Sequence, residues 1–139
     1  MKDNKATIRY AGDDFFVATP PTGHSLTLDM NGERSSGASP LELLLVALGG
    51  CTAADVVSIL RKKREIVTEY RVEVRGERRE EYPKSFRRIE VRHILHGRGL
   101  SDKAVADAFQ LSDEKYCGVS ATVRPTAEIV TSYEIHEQE

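Results

Sequence analysis

Cys51 and Cys117 are the only cysteines in the 139-residue chain, and they are the side chains best suited to chemistry. A thiolate is both a nucleophile and a two-electron reductant, and a second thiol within reach of the oxidised first can close a disulfide. A free cysteine is equally an ordinary small buried hydrophobe, so its surroundings decide between the two roles. Other constellations carry less. The cysteines lack CxxC or CxxH spacing, so they do not read as a structural zinc site. His93 and His96 stand three apart on a strand-like run and so point to opposite faces, poor geometry for a metal. Gly49-Gly50-Cys51 lacks the Gly-Lys-Ser/Thr ending of a phosphate loop, and no GxSxG occurs. Tyr116, beside Cys117, reads as core. No metal and no cofactor is expected.

Cys51 sits in the most apolar run of the chain, SPLELLLVALGGCTAADVVSILRKK, residues 39–63. The run reads as a helix. Ser39 is an N-cap, Pro40 fits the first turn, and Glu42 stands three after the cap, where it can return a hydrogen bond. Basic residues Arg61 to Arg64 suit the C-terminal dipole. At about 100° per residue, Leu44, Ala47, Leu48, Asp55 and Ser58 share the face of Cys51, whereas Glu42 lies on the opposite side and reads as a cap partner of Ser39. An unpaired Asp55 one turn from Cys51 would raise the thiol pKa. A reactive Cys51 therefore demands a cation from elsewhere, and Arg34, in the loop before the helix, is the nearest candidate, with Arg9 next. Cys117 follows Lys115 near the start of a helix capped by Ser112, a setting that eases thiolate formation and suits a resolving thiol.

The elements that must position these residues follow from patterning. Runs at 6–11, 15–19 and 24–30 read as a β-meander, 31–38 as a loop, and 39–64 as the long helix. Alternating runs at 70–79 and 87–97 read as an antiparallel hairpin. Ser101 caps a helix over 102–111, and Ser112 caps a short one with Cys117 in its second turn. Residues 128–135 form a closing strand. The order βββ–α–ββ–αα–β is an α+β arrangement with antiparallel pairing, in a single domain spanning 1–139. From Leu43 to Leu48 the long helix is apolar all round and must be enclosed, which predicts that a second subunit supplies part of its cover. Gly49-Gly50 marks a bend or a close approach. A net charge of −2 without a basic stripe predicts no nucleic-acid partner. Glu42 and Asp55 interrupt the apolar run, and no apolar leader segment opens the chain, so a cytoplasmic protein without a membrane span is expected.

SPLELLLVALGGCTAADVVSIL, with proline eleven before the cysteine, LSDEKYCGVSATV around the second cysteine, and the element order together resemble the OsmC/Ohr family of thiol-dependent peroxidases. The match runs over essentially the whole chain. The resemblance implies an OsmC-like, intertwined homodimer, with antiparallel sheets around long buried central helices and two active sites at the interface. It also implies that Cys51 is the peroxidatic thiolate and Cys117 the resolving thiol. Organic hydroperoxides would be the substrates, a cellular dithiol the reductant, and oxidative stress defence the role. Family peroxidases carry glutamate directly after the proline, and an activating arginine in the N-terminal half. Here Leu41 follows the proline with Glu42 one step on, Arg34 is the candidate arginine, and Gly118 stands where the family usually has proline. Cys51, Cys117, Arg34 and Glu42 are thus the candidate catalytic set. The alternative is a non-catalytic OsmC-like member that binds a small molecule in the interface pocket. A Cys51 pKa well below the ordinary value of about 8.5 would support catalysis, and a raised one binding.

Overall fold

The computed structural model describes residues 4–139. The chain groups into two compact units, one ending at Leu44 and the other running from Leu45 to Glu139. In the first, β1 (Thr7–Gly12), β2 (Phe15–Thr19) and β3 (Leu26–Asp29) form an antiparallel meander in the order β1-β2-β3. Asp13 and Asp14 both take positive φ between β1 and β2. That left-handed pair is what a two-residue hairpin turn requires, and aspartate tolerates it better than most residues. The meander is the one expected, although its third strand starts at Leu26 and leaves His24 outside.

The long helix, α1 (Pro40–Lys62), opens with a reciprocal cap. The Ser39 N–H donates to Glu42 Oε1 at 3.0 Å, and the Glu42 N–H donates to Ser39 Oγ at 3.2 Å. Each bond satisfies a donor that the first turn would otherwise leave unpaired. Ser39→Ala is expected to cost about 1 kcal/mol, read as a lower urea midpoint at unchanged slope; an unchanged midpoint would show the cap to be idle.

The second unit is built on β4 (Ile66–Arg78), β5 (Phe86–Arg98) and β6 (Glu128–Glu137), in the order β4-β5-β6. The β4–β5 hairpin is antiparallel, with Val72 opposite His93 and Val74 opposite Val91. Between β5 and β6 the pairing is parallel, His93 lying beside Tyr133, so the expectation of a wholly antiparallel fold is corrected. The reason is the connection. After β5 the chain runs back through α2 (Asp102–Leu111) and α3 (Gly118–Val123) before β6 begins, and such a crossover returns a strand to the same end of its neighbour.

A second correction concerns Cys117. Residues Ser112–Tyr116 form a single π turn, closed by the Cys117 N–H donating to the Ser112 carbonyl at 2.7 Å. Cys117 itself is extended (φ −76, ψ 102) and serves as the N-cap of α3, rather than sitting inside a helix begun by Ser112.

Val56 and Leu60 of α1 pack with Leu95 of β5 and with Val105, Ala108 and Phe109 of α2, forming the core of the second unit. Gly49 marks a close approach of helix to strand. A β-carbon there would stand 2.8 Å from Val74 Cγ2. Elsewhere α1 is poorly covered. Val46 is 67% exposed, and the buried positions are confined to Leu48, Gly49, Thr52, Val56 and Leu60. By length and composition alone α1 is apolar enough to cross a membrane, despite Glu42 and Asp55.

Candidate thiol site

Consecutive turns of α1 place Cys51 and Asp55 on one face, as helical spacing dictates. The π turn and the start of α3 bring Cys117 to them. The sulfur atoms of Cys51 and Cys117 and a carboxylate oxygen of Asp55 all lie within 4.8 Å of one another. Both cysteines are free thiols.

A ring of buried hydroxyls and amides holds this cluster. Ser112 Oγ donates to Asp55 Oδ2 at 2.9 Å. The Ser120 N–H donates to Cys117 Sγ at 3.3 Å, and Thr52 Oγ1 lies 3.7 Å from the same sulfur. Thr52, Ser112 and Ser120 are all buried, polar groups that low-dielectric surroundings require to be paired. None of the three was anticipated as a site residue. Ser120 had a legible signal, since it stands three after Cys117, the spacing of an N-cap and the amide it receives. Ser112 and Thr52 gave none, because their roles depend on α1 meeting the π turn.

The two thiols ionise unequally. Burial pushes the Cys117 thiol up, but hydrogen bonds from Ser120, Cys51 and Thr52 outweigh it, and the net shift is downward. Cys51 is pushed up, first by burial and next by its hydrogen bond to Cys117. A backbone contact at Val119 opposes these, while the charges of Cys117 and Asp55 add to them. Of the two thiols, Cys117 is thus the more readily ionised. The opposing influence of Asp55 is the one its spacing foretold. Exposure runs the other way: Cys117 is 3% exposed, whereas Cys51 is partly open.

Beside Asp55 lies a groove of about 350 Å³, lined by Ser58, Ile59 and Lys62 from α1 and by Leu111 and Tyr116. Tyr116 is exposed at its rim, not in the core as expected, because the π turn carries it outward.

Arg34 and Glu42 belong to the first unit, where each has partners of its own. The Arg34 guanidinium donates to both Asp29 carboxylate oxygens, at 2.9 and 2.8 Å, and to Asp13 Oδ2 at 2.9 Å, and it stacks 3.9 Å from the Phe15 ring centroid. Asp29 also accepts from the Asn31 and Ser36 amides. Arg34 holds the Asp29 carboxyl far below the usual carboxylate range, and Asp29 raises Arg34 in return. The bonds to Ser39 lower the Glu42 pKa.

His93 and His96 face opposite ways, as their spacing on β5 predicts. His93 is fully buried, 2.7 Å from Tyr70 Oη through Nδ1 and stacked 4.2 Å from the Phe109 ring, while His96 stacks on His136.

Comparison with known proteins supplies relatives. Residues 32–132 match the family model described as OsmC-like protein. The chain is 41% identical over 131 residues to Protein YhfA of Escherichia coli strain K12, covering 94% of this chain and 97% of that protein. Among solved structures, a hypothetical protein from Aquifex aeolicus VF5 is 32% identical over the full length of both chains, with a TM-score of 0.89. The organic hydroperoxide resistance protein OhrB of Bacillus subtilis superposes with a TM-score of 0.66 over 96% of this chain and 98% of its own. At 14% identity it shares the fold alone.

Proposed function

The chain belongs to the OsmC-like protein family, and from that premise we propose that it is a thiol-dependent peroxidase that reduces organic hydroperoxides through Cys51 and Cys117. The observation that carries the proposal is the meeting of two free thiols, one from α1 and one from the start of α3, within 4.8 Å. Cys51 is the more open sulfur and meets the peroxide. Cys51 gives up its proton and its sulfur attacks the terminal peroxide oxygen. The O–O bond breaks, the departing alkoxide takes up the proton that Cys51 released and leaves as the alcohol, and Cys51 becomes a sulfenic acid. The Cys117 sulfur then attacks the Cys51 sulfur, forming the disulfide and releasing water. One hydroperoxide and two thiols thus give one alcohol, one disulfide and one water. A cellular dithiol restores the pair, which places the protein in a reducing compartment such as the cytoplasm.

Ile59, Leu111 and Tyr116 give the neighbouring groove an apolar wall suited to an organic rather than an inorganic peroxide. The hydroperoxide resistance named for the Bacillus subtilis protein of the same fold agrees with this reading. A second copy of the chain covers the apolar face of α1 around Val46, making the active form a homodimer. Titration of the reduced protein with tert-butyl hydroperoxide is expected to consume two thiols per chain, with mass spectrometry finding a Cys51–Cys117 disulfide. Thiols left intact by excess peroxide would end the proposal. Sedimentation at micromolar concentration is expected to show a dimer, and a monomer would remove that part.

One observation favours the alternative, a non-catalytic member that binds a small molecule: Cys51 is shifted up, not down. The pH dependence of Cys51 alkylation separates the two. An unreactive Cys51 at neutral pH supports binding, and rapid loss of Cys51 supports the peroxidase.

A further inference from the structure

We propose that the reduced site is also a binding site for a thiophilic divalent cation of the zinc type, held by Cys51 Sγ, Cys117 Sγ and a carboxylate oxygen of Asp55. This goes beyond the peroxidase reading and does not depend on it, since binding needs only the two thiols and the carboxylate. Two thiolates and a carboxylate form a donor set that selects such ions, and three protein ligands leave the fourth tetrahedral position open to water.

The geometry is close to what the ion needs. Zinc binds sulfur at about 2.3 Å and carboxylate oxygen at about 2.0–2.2 Å, so its ligand atoms stand somewhat under ~4 Å apart. Here the three atoms lie within 4.8 Å of one another, and rotation of the partly exposed Cys51 and Asp55 side chains closes the difference. Metal-binding side chains are usually oriented by outer hydrogen bonds, and those bonds are present. Ser112 Oγ donates to Asp55 Oδ2, while the Ser120 N–H and Thr52 Oγ1 lie against the Cys117 sulfur. Asp55 lines a groove, so the carboxylate side of the donor set borders an open cavity. Spacing in the chain concealed the site, because Cys117 joins the Cys51–Asp55 turn only through the π turn.

The same two sulfurs cannot hold a cation and form a disulfide. Binding requires both sulfurs as thiolates and withdraws both from oxidants. Two-electron oxidation of the pair to the disulfide, by a hydroperoxide or by diamide, releases the ion.

The test uses the full chain, reduced and kept anaerobic, titrated with Co²⁺ as a spectroscopic probe and with Zn²⁺ in competition. Expected are one Co²⁺ per chain, a near-ultraviolet sulfur-to-cobalt band with the intensity of two thiolates, and displacement of Co²⁺ by Zn²⁺. Protein oxidised beforehand with diamide is expected to bind none. Asp55→Asn is expected to weaken Co²⁺ at least ~10-fold, and Ser112→Ala, which only orients Asp55, by about 10-fold. Absence of the charge-transfer band in reduced wild type, a one-thiolate intensity, or equal affinity in folded Asp55→Asn would overturn the proposal. Should the variants fail to fold by circular dichroism, the reduced and diamide-oxidised wild type still decide. Equal binding by both forms overturns it. Because diamide replaces the peroxide, failure of the peroxidase activity and failure of metal binding register separately.

Discussion

A Cys51→Ser protein is expected to reduce organic hydroperoxide no faster than buffer with the same dithiol, a fall of ~1000-fold or more, since the group that attacks the O–O bond is gone. Cys117→Ser is expected to consume one equivalent per chain and stop at a Cys51 sulfenic acid, which a dimedone-type reagent traps. The second variant also tests the electrostatics of the pair. In the wild type, both the hydrogen bond to Cys117 and the negative charge of its ionised form raise Cys51. Removing Cys117 removes both, leaving burial and Asp55, so the pH midpoint for alkylation of Cys51 is expected to fall. Rapid mixing with a chromogenic peroxidase assay and pH-dependent alkylation are sufficient measurements. Wild-type turnover in Cys51→Ser would refute its role. The inverse pattern, an inert Cys117→Ser and a Cys51→Ser protein that takes one equivalent, would move the nucleophile to Cys117.

Lowering the pH from 7.5 to 5 is expected to cost the fold about 2 kcal/mol through His93 alone. Burial lowers its pKa from 6.5 to about 4. The ring also hydrogen-bonds Tyr70 Oη through Nδ1, packs on Phe109 and lies between Val72 and Tyr133 in the sheet register, an enclosure that disfavours the charged form. The sign follows from linkage. Between pH 6.5 and 4 the unfolded histidine binds a proton that the folded one does not, so stability rises with pH in that window. The contribution is fully present above about pH 6.5. It is lost progressively as the pH falls towards 4, reaching about 3 kcal/mol in total. Urea unfolding at pH 7.5 and 5 measures it, with His93→Gln as the control. The glutamine is expected to lower stability at pH 7.5 by about 1–3 kcal/mol and to remove this part of the pH dependence. An unchanged slope in the variant would show that other groups carry the acid sensitivity.

Local rules reached far into this chain. Period-two alternation located both sheets, and the hairpin turn and the cap at Ser101 are where composition puts them. The reciprocal bonds of Ser39 and Glu42 were legible because a capping box is a four-residue affair. They also bear out the reading of Glu42 as a cap. The placement of Asp55 beside Cys51 is a matter of helical spacing, and its upward pressure on the thiol followed at once. Where the reading failed, the missing information was non-local. The parallel pairing of β6 depends on how a crossover returns to the sheet, which the alternation of β6 does not encode. The π turn differs from an α-helical continuation by one hydrogen bond, from the Cys117 N–H to the Ser112 carbonyl, and propensity does not resolve it. That one bond turns Cys117 from a residue within a helix into a helix cap.

The sequence by itself determined which groups could react, and which helix face carries Cys51 together with Asp55, because types and short-range periodicity are properties of adjacent residues. Only the tertiary structure decided which of the two thiols ionises more readily. Ionisation of a buried sulfur depends on the donors around it, and those donors, Thr52 from α1 and Ser120 from α3, come from elements separated by the whole β4–β5 hairpin and α2. The same long-range meeting seats Ser112 on Asp55 and sets the two sulfurs side by side.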